Sequence, residues 1–514
     1  MGLTENETAD LMTVPSTPNP AWDIQIKKYD DYNRYFYGDV FSEVVNRGTA
    51  EEPSEPALLY PLRINLVRMM CFTHLQMFLG QWEDQVFALT PKQSKRGERL
   101  DQWAQDTIEF LETVWDESNF NSRIVDAALS MIIYGGAVFK VAFDPTLSTR
   151  IRIDHILPEY FFPRWHPMDP DKLLEATISF RMSVEDAKLA YGYEPTGNES
   201  ETVMYVESWT KDRVDVSIAG EPMEKYCGAN PYGFIPFVYI PRIRAPGDFY
   251  GLAVPEDILG LSNELNVRLA DIGDRIQYSA HPQWVVSNYA GTTKTWEIGK
   301  DSIINLGTGL AGLAPTLTSL PPVAEPASSF RYIDFILDLS RMAAMSPPVA
   351  FGTDEGSQRS ALTLSFRMWP LVQQSRLARL NWTTGIASLH KMVIEIRINR
   401  DKGRTDDKIP TSWLKARIVP KWSPILPPDR SQVVDEVMNA WNLGADPLVS
   451  PEAAVKKLAL TDDSETELAN VLALWKERRA QEEKVAKQNM AQQKAQAGAQ
   501  ASKGSQPTTK AKKE

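Results

Sequence analysis

The 514-residue chain carries 55 Lys and Arg against 67 Asp and Glu, a formal charge of −12, with 43% hydrophobic and 24% charged residues. Such a chain folds and is long enough for several domains or one large multi-part fold, while its two cysteines, Cys71 and Cys227, exclude a disulfide framework and a Cys-rich metal site. The charge is uneven: residues 476–514 hold ten Lys or Arg against four Asp or Glu, leaving 45 against 63 before them, so the body lacks the basic surface that grips DNA phosphate tightly.

The first residues carry Glu5, Glu7 and Asp10 without a basic or apolar run, which excludes a secretory signal there. Residues 1–60 mix Trp22, Tyr29, Tyr32, Tyr35, Phe36 and Tyr37 with an acidic, Pro-containing stretch and read as an N-terminal arm that packs onto something else. Residues 62–79, 98–116 and 122–134 show helical periodicity. The first of these contains Arg68, His74 and Gln76, too polar and too short to span a membrane. The third ends at Gly135-Gly136, before a strand over 137–143. From 149 to 240 short strands (150–156, 176–181, 203–209, 214–218, 234–240) and one helix near 184–190 predict an α+β domain.

Over residues 255–280 one stripe repeats at helical spacing, Ile258, Leu261, Leu265, Leu269, Ile272 and Ile276, and the opposite side carries Glu264, Arg268, Asp271, Asp274 and Arg275. With Pro255 in the first turn and His281-Pro282 as the stop, this predicts a single rod of roughly 39 Å. Residues 283–325 read as a small β-rich insert with strands over 284–286, 295–298 and 302–305. Helical spacing resumes at Phe330, Ile333 and Leu337 and runs to Met345. A Pro/Gly loop follows, then a long helix over 361–397 that Pro370 should kink. A basic loop and a strand over 416–419 lead to helices over 431–443, 450–458 and 464–479, with Ser caps and Pro451 at a first position. After Glu482 the Gln/Ala/Lys/Ser composition reads as a disordered basic tail.

Enzyme signatures are weak. Asp154-His155 and His166-Pro167-Met168-Asp169 offer potential metal ligands without HExxH or paired-Cys spacing, and structural histidines account for them as well. There is no phosphate-binding GxxxxGK[ST] and no GxSxG elbow.

The element order, together with Gly251-Leu252-Ala253-Val254-Pro255-Glu256-Asp257-Ile258, Glu264-Leu265-Asn266, Pro348-Val349-Ala350-Phe351-Gly352, Ser360-Ala361-Leu362 and Val449-Ser450-Pro451-Glu452, resembles the portal (head-to-tail connector) family of tailed bacteriophages over about residues 61–480. Ala253 stands where the family commonly has Ser. The resemblance implies an α+β, mainly helical portal-type fold assembled as a ring, with dodecamers expected. Its parts would be a wing (61–250, with a return at 398–425), a stem helix (251–282), a clip (283–325), a second stem helix (326–345), a tunnel loop (346–360), a long kinked helix (361–397), a crown (426–480) and the tail (481–514). It also implies a non-enzymatic, cofactor-free channel at the capsid vertex, assembled in the host cytoplasm. Double-stranded DNA would pass through it without sequence specificity, and terminase, major capsid, scaffolding and head completion proteins would dock on it, with no membrane involved. Another ring-forming phage structural protein and a metal-dependent hydrolase are the competing readings.

A channel must surround a polyanion without holding it, and mixed or acidic charge meets that need. Glu264, Arg268, Asp271, Asp274 and Arg275 on the first stem helix, with Asp334 and Asp338 beside Arg331 and Arg341 on the second, are the candidate wall. Ordinary solvated ion pairs worth ~0–1 kcal/mol each are the plainer account. Pro348, Gly352, Asp354, Glu355, Gly356 and Arg359 form the candidate tunnel loop, against a plain surface turn. Trp284, Tyr289 and Trp296 are candidate clip-interface anchors, or core residues of the insert. The basic tail either touches DNA or scaffolding protein or solubilises the chain.

Overall fold

A computed structural model describes residues 20–40, 64–81, 87–91, 102–195, 201–280, 284–288, 316–319, 327–352, 361–400, 409–415 and 417–426, with isolated positions elsewhere, among them 314, 435 and several between 473 and 488. Residues 1–426 form one compact unit and 427–514 a second.

Helix α1 (Pro20–Tyr37) is not the outward-reaching arm that its composition suggested. Trp22, Tyr29, Tyr32 and Phe36 recur at helical spacing and are buried in the chain's own core. Tyr29 meets Tyr134 edge-on at 5.1 Å between ring centroids, and the Trp22 indole N–H donates to the Pro163 carbonyl at 2.8 Å. Amphipathic period, rather than partner binding, explains these aromatics.

Helix α2 (Leu66–Leu79) begins at Asn65, whose side chain accepts from the Arg68 N–H. Strand β1 (Phe87–Pro91), α3 (Gln102–Glu117) and α4 (Phe120–Tyr134) follow. At the end of α4, Gly135 is left-handed (φ 84), and a Cβ there would collide with the carbonyl of Gly251. The chain can therefore turn directly into β2 (Gly136–Phe143) while the segment leading to the next long helix lies against the turn.

Strand β2 is central in a three-stranded antiparallel sheet, flanked by β3 (Ile151–Ile156) and β10 (Phe237–Pro241). A second antiparallel sheet runs β4 (Phe161–His166), β5 (Asp169–Ser183), β6 (Thr202–Thr210), β7 (Arg213–Ile218) and the short β8 (Glu221–Pro222), with β9 (Gly228–Ala229) also on β7. Burial alternates along β6 and β7, the pattern of a sheet with one wet face. The sequence signalled 176–181 but not β4 or the start of β5. Pro163 sits in β4, and Asp169 to Glu175 is a charged, mostly exposed run without alternation. Helix α5 (Val184–Tyr191), capped by the Ser183 hydroxyl, lies where predicted.

A 3-10 turn at Pro255–Asp257 precedes α6 (Leu259–Ala280), so the predicted rod starts as a separate tight turn. Strands β11 (Trp284–Ser287) and β12 (Thr316–Ser319) pair antiparallel; the strands expected over 295–298 and 302–305 lie outside the described residues. Helix α7 is Ala327–Ala343. At Pro370 the predicted kink is a one-residue interruption: α8 (Ala361–Arg367) and α9 (Trp369–Arg400) are separated at Met368, with Pro370 in the first turn of α9, while the Met368 N–H still donates to the Leu364 carbonyl and the Val372 N–H to the Met368 carbonyl, both at 3.0 Å. A proline that would lack its donor inside a helix loses nothing in the first turn of a new one.

Helix α9 lies across β10 and β2, and Gly385 allows the close approach, since a Cβ there would strike Ile240. Strand β13 (Ile418–Trp422) pairs with β1, more than 300 residues earlier. Trp382 of α9 centres the core, edge-on to Phe78 at 5.2 Å and to Phe139 at 5.9 Å. In the second unit the expected helices lie largely outside the described residues. Positions 484, 485, 487 and 488, read as tail, are helical; Ala, Gln, Lys and Glu all favour helix in that stretch even without an apolar stripe.

Candidate channel-wall helices and loop junction

The apolar stripe of α6 does what its spacing implies, but over part of its length. Ile258 and Leu265 are fully buried and Ile272 is 8% exposed, whereas Ile276, next on the same stripe, is 57% exposed. The near end is riveted to the body through Asn266, which is buried. Its carboxamide oxygen accepts from the Ile64 N–H at 2.9 Å and its NH2 donates to the Ile64 carbonyl at 3.1 Å and to that of Ser262 at 2.8 Å. Asn263 donates to the Tyr35 hydroxyl, and Lys28 pairs with Glu256 at 2.6 Å.

Helix α7 packs beside α6 with Ile336 and Ser340 buried, the Ser340 hydroxyl donating to the Ile336 carbonyl at 2.7 Å. On the outer surface Arg268 donates to Glu264 at 2.8 Å and to Asp271 at 3.0 Å, and Glu264 also accepts from the Tyr332 hydroxyl at 3.2 Å. These carboxylates raise the pKa of Arg268, the Glu264 hydrogen bond most. Arg341 pairs with Asp338 at 3.1 Å and lies 5.9 Å from the Phe351 ring centre. Arg275 and Asp334 are exposed. Asp274 belongs to α6, but its side chain lies outside the described residues. Arg268, Asp271, Ile272, Arg275, Ser328, Ser329 and Tyr332 line a cleft of about 280 Å³ between the two helices.

The end of α7 is held by a junction that the sequence did not announce. Met345 is left-handed (φ 49), and the Ser346 N–H reaches back to the Arg341 carbonyl at 2.8 Å, a helix ending in which glycine is usual at the left-handed position. Ser346 is buried against His74 of α2. The His74 Nε2 is 2.9 Å from the Ala344 carbonyl and 3.2 Å from the Ser346 hydroxyl. A carbonyl can only accept, so Nε2 carries the proton and Nδ1 faces a guanidinium nitrogen of Arg242 at 3.5 Å. Arg242 also donates to Gln374 of α9, whose NH2 lies 2.7 Å from the Met345 sulfur. Burial, reinforced by Arg242, pushes the His74 pKa down to about 3, and burial lowers that of Arg242 to about 10. Three long helices thus meet at one buried polar cluster. The signal available in sequence was a histidine inside a largely apolar helix that also holds Arg68 and Gln76, and it gave no partner.

Beyond the junction, Pro348 opens a 3-10 turn closed by Gly352 in the left-handed region (φ 69). Asp354, Glu355, Gly356 and Arg359 lie outside the described residues, as do Tyr289 and Trp296; Trp284 pairs with Ser319 across β11 and β12. The histidines weighed as metal ligands are placed apart from any such site. His155 packs against Phe139 at 6.0 Å, its pKa held near 4 by burial and then by Arg123. Asp154 is bound by Arg123 at 2.5 Å and Arg152 at 2.9 Å. The His166 Nδ1 accepts from the Met168 N–H at 3.2 Å, and Asp169 from the Asp171 N–H at 3.2 Å. Among the described residues no three His, Cys, Asp or Glu side chains group as a metal site would need, and no helix is long and apolar enough to cross a membrane.

Residues 22–485 match the family model described as phage portal protein, SPP1 Gp6-like. The chain belongs to this phage portal family. The match covers both units and includes the α6–α7 helix pair, the junction at Ser346 and all of α9. A portal chain is a structural component, and its fold here is mixed helix and sheet. Comparison with curated proteins finds no match.

Proposed function

We propose that this portal-family chain is the ring subunit at the capsid vertex through which double-stranded DNA is packaged and ejected, and on which terminase, head completion, scaffolding and major capsid proteins dock. The observation that carries the reading is the family match over 22–485. An acidic body and the helix pair α6–α7 with alternating surface charge agree with it. In this reading the chain is not an enzyme and needs no cofactor.

The parts follow the same reading: wing 61–250 and 398–425, stem helices 251–282 and 326–345, clip 283–325, tunnel loop 346–360, long helix 361–397 and crown 426–480, in a ring expected to hold twelve copies. The stem charges Glu264, Arg268, Asp271, Asp274, Arg275, Asp334 and Asp338 supply the wall. A wall of mixed sign presents no continuous basic strip along which phosphates would displace their counterions, so DNA slides instead of sticking. Pro348, Gly352, Asp354, Glu355, Gly356 and Arg359 form the loop that faces the DNA, and Trp284, Tyr289 and Trp296 the clip surface that meets terminase. Negative-stain imaging of the purified chain tests the proposal: closed rings with a central hole are expected, and compact single copies at every concentration would overturn it.

A further inference from the structure

The α8–α9 side of the body reverses the charge of the rest. Residues 361–426 hold twelve Lys or Arg against four Asp or Glu, whereas residues 1–360 hold 30 against 50. Beside α9, at the end of β13, a groove of about 600 Å³ is lined by Trp369, Val372, Arg376, Leu380, Trp422 and Ile425 among others, and by no carboxylate among the described residues. Trp369 (49%) and Leu380 (63%) leave apolar surface bare there. The Arg376 guanidinium is exposed and lies 5.2 Å from the centre of the Trp369 ring. Arg379, enclosed in the wall, donates to the Phe78 and Ser423 carbonyls and lies over the Trp422 ring. A cationic groove with aromatic walls and no counter-charge has the make-up of a contact for an acidic protein segment that carries an apolar side chain.

We propose that this groove takes the tip of the β4–β5 hairpin of a neighbouring copy, with Met168 entering between Trp369 and Leu380 and Asp169 meeting Arg376. The proposal rests on the ring reading and adds which surfaces join the copies. Met168 stands in the turn between β4 and β5 and is 87% exposed. The turn is nevertheless fixed, since the Met168 N–H donates to the His166 ring and the Asp171 N–H to the Asp169 carboxylate. A large apolar side chain held outward on a fixed turn is a plug with no socket in its own copy. Asp169 and Asp171 are both exposed, and alternation along β5 puts these two carboxylates on one side and Lys172 on the other. The tip thus brings the negative charge that the groove lacks.

Within one copy the hairpin is tied to a different flank of α9. Asp171 pairs with Arg244 at 2.6 Å, and Pro170, Asp171 and Leu173 border a second cleft, whose α9 side is Asn381, Thr384, Gly385 and Ser388. With 3.6 residues per turn, these four centre roughly 135° around the helix from Val372, Arg376, Leu380 and Thr383, which face the groove. The tip of one copy therefore reaches the groove of another rather than its own. Two different surfaces that fit one another make a head-to-tail contact, which repeats from copy to copy and closes into a ring when the rotation allows it. The contact also uses the basic side of an otherwise acidic body, whereas pairings between acidic sides set like charges against each other.

The test compares purified wild type, Asp169→Arg, Arg376→Asp and the double reversal by negative-stain imaging, with melting curves to confirm folding; both positions are exposed, so the single copies should melt alike. Wild-type rings, an about tenfold or greater fall in the ring fraction for each single reversal, and rings restored in the double reversal are expected. Rings unaffected by the single reversals, or a double reversal no better than either, would overturn this contact and leave the groove to another acidic partner, with the ring reading intact. A second measurement uses Met168→Cys with Leu380→Cys in a Cys227→Ser background. Oxidation should give a ladder of cross-linked copies; a bond closed within one copy contradicts the proposal. A ladder from open strings instead of closed rings would keep the contact and overturn the ring, and neither rings nor ladder would overturn both.

Discussion

The inner side of α9 and the outer side of α7 carry similar residues and meet opposite fates. On α9, Trp382, Ile386, Leu389, Val393 and Ile396 are all buried against elements of the same chain, and even its charged members are enclosed: Arg379 donates to the Phe78 carbonyl at 2.8 Å and to that of Ser423 at 2.6 Å, beneath the Trp422 ring. On α7, Phe335 and Met342 find no such cover. Apolar period alone therefore says that a surface must be covered, and not by what. The difference separates residues whose removal should unfold one copy from residues whose removal should be felt between copies.

The sharpest contrast comes from Trp382→Ala. The side chain is fully enclosed, touches Phe78, Phe139 and Trp422, and its ring nitrogen lies 2.7 Å from the Met131 sulfur. Loss of its transfer energy plus the cavity should cost about 3–5 kcal/mol, read as a lower denaturation midpoint at unchanged m-value. A loss below about 1 kcal/mol would mean that α9 is not the centre of the core.

Next in size is an acid effect located in the same body. Burial lowers the pKa of His74 to about 3 and that of His390 to about 4, against about 6.5 in an unfolded chain. Each is neutral when folded and takes up a proton on unfolding. Their contribution to stability is therefore full above about pH 6.5 and is lost as pH falls from there toward the folded values. At pH 5 the loss is about 2 kcal/mol for each, by linkage. Melting curves at pH 7 and pH 5 check the sign, and His74→Gln, which keeps a donor and an acceptor at the junction, should flatten the slope. Unchanged melting between the two pH values would show that water reaches these rings.

Smaller still is the rivet at the base of the helix pair. Asn266→Ala strands the N–H and the carbonyl of Ile64 in a half-buried position, at a cost of about 1–3 kcal/mol. Exchange of the Ile64 amide hydrogen should speed up with it, which distinguishes a local loosening of α6 from a general loss.

How much of this was legible varies with the kind of signal. The α6 stripe from Ile258 to Ile272 and the short helix near 184–190 were readable because each is a local pattern. Helix α1 was misread although Trp22, Tyr29, Tyr32 and Phe36 carry a helical period, because aromatic residues in a polar segment suit a partner surface equally well. The β1–β13 pair joins residues more than 300 positions apart, and the cluster of His74, Arg242, Ser346 and Gln374 draws one residue from each of four distant segments; neither leaves a local trace. The alternating charges of the candidate wall were visible as a list. How the two helices sit beside one another required the Glu264–Tyr332 contact.

The smallest effects belong to the outer side of α7, and there the expectation is of two nearly silent substitutions. Asp338→Asn breaks an exposed pair with Arg341 at i,i+3, a contact worth ~0.2–0.5 kcal/mol, and Arg341 retains its place over the Phe351 ring. Phe335→Ser removes a side chain that touches little within one copy, so the melting of single copies should shift by no more than ~0.5 kcal/mol equivalent. The two should then part company in assembly, where Phe335→Ser loses apolar contact area that Asp338→Asn keeps. Should Phe335→Ser instead lower the stability of single copies by more than about 1 kcal/mol, the side would be covered by the chain itself, and the contrast with α9 would disappear.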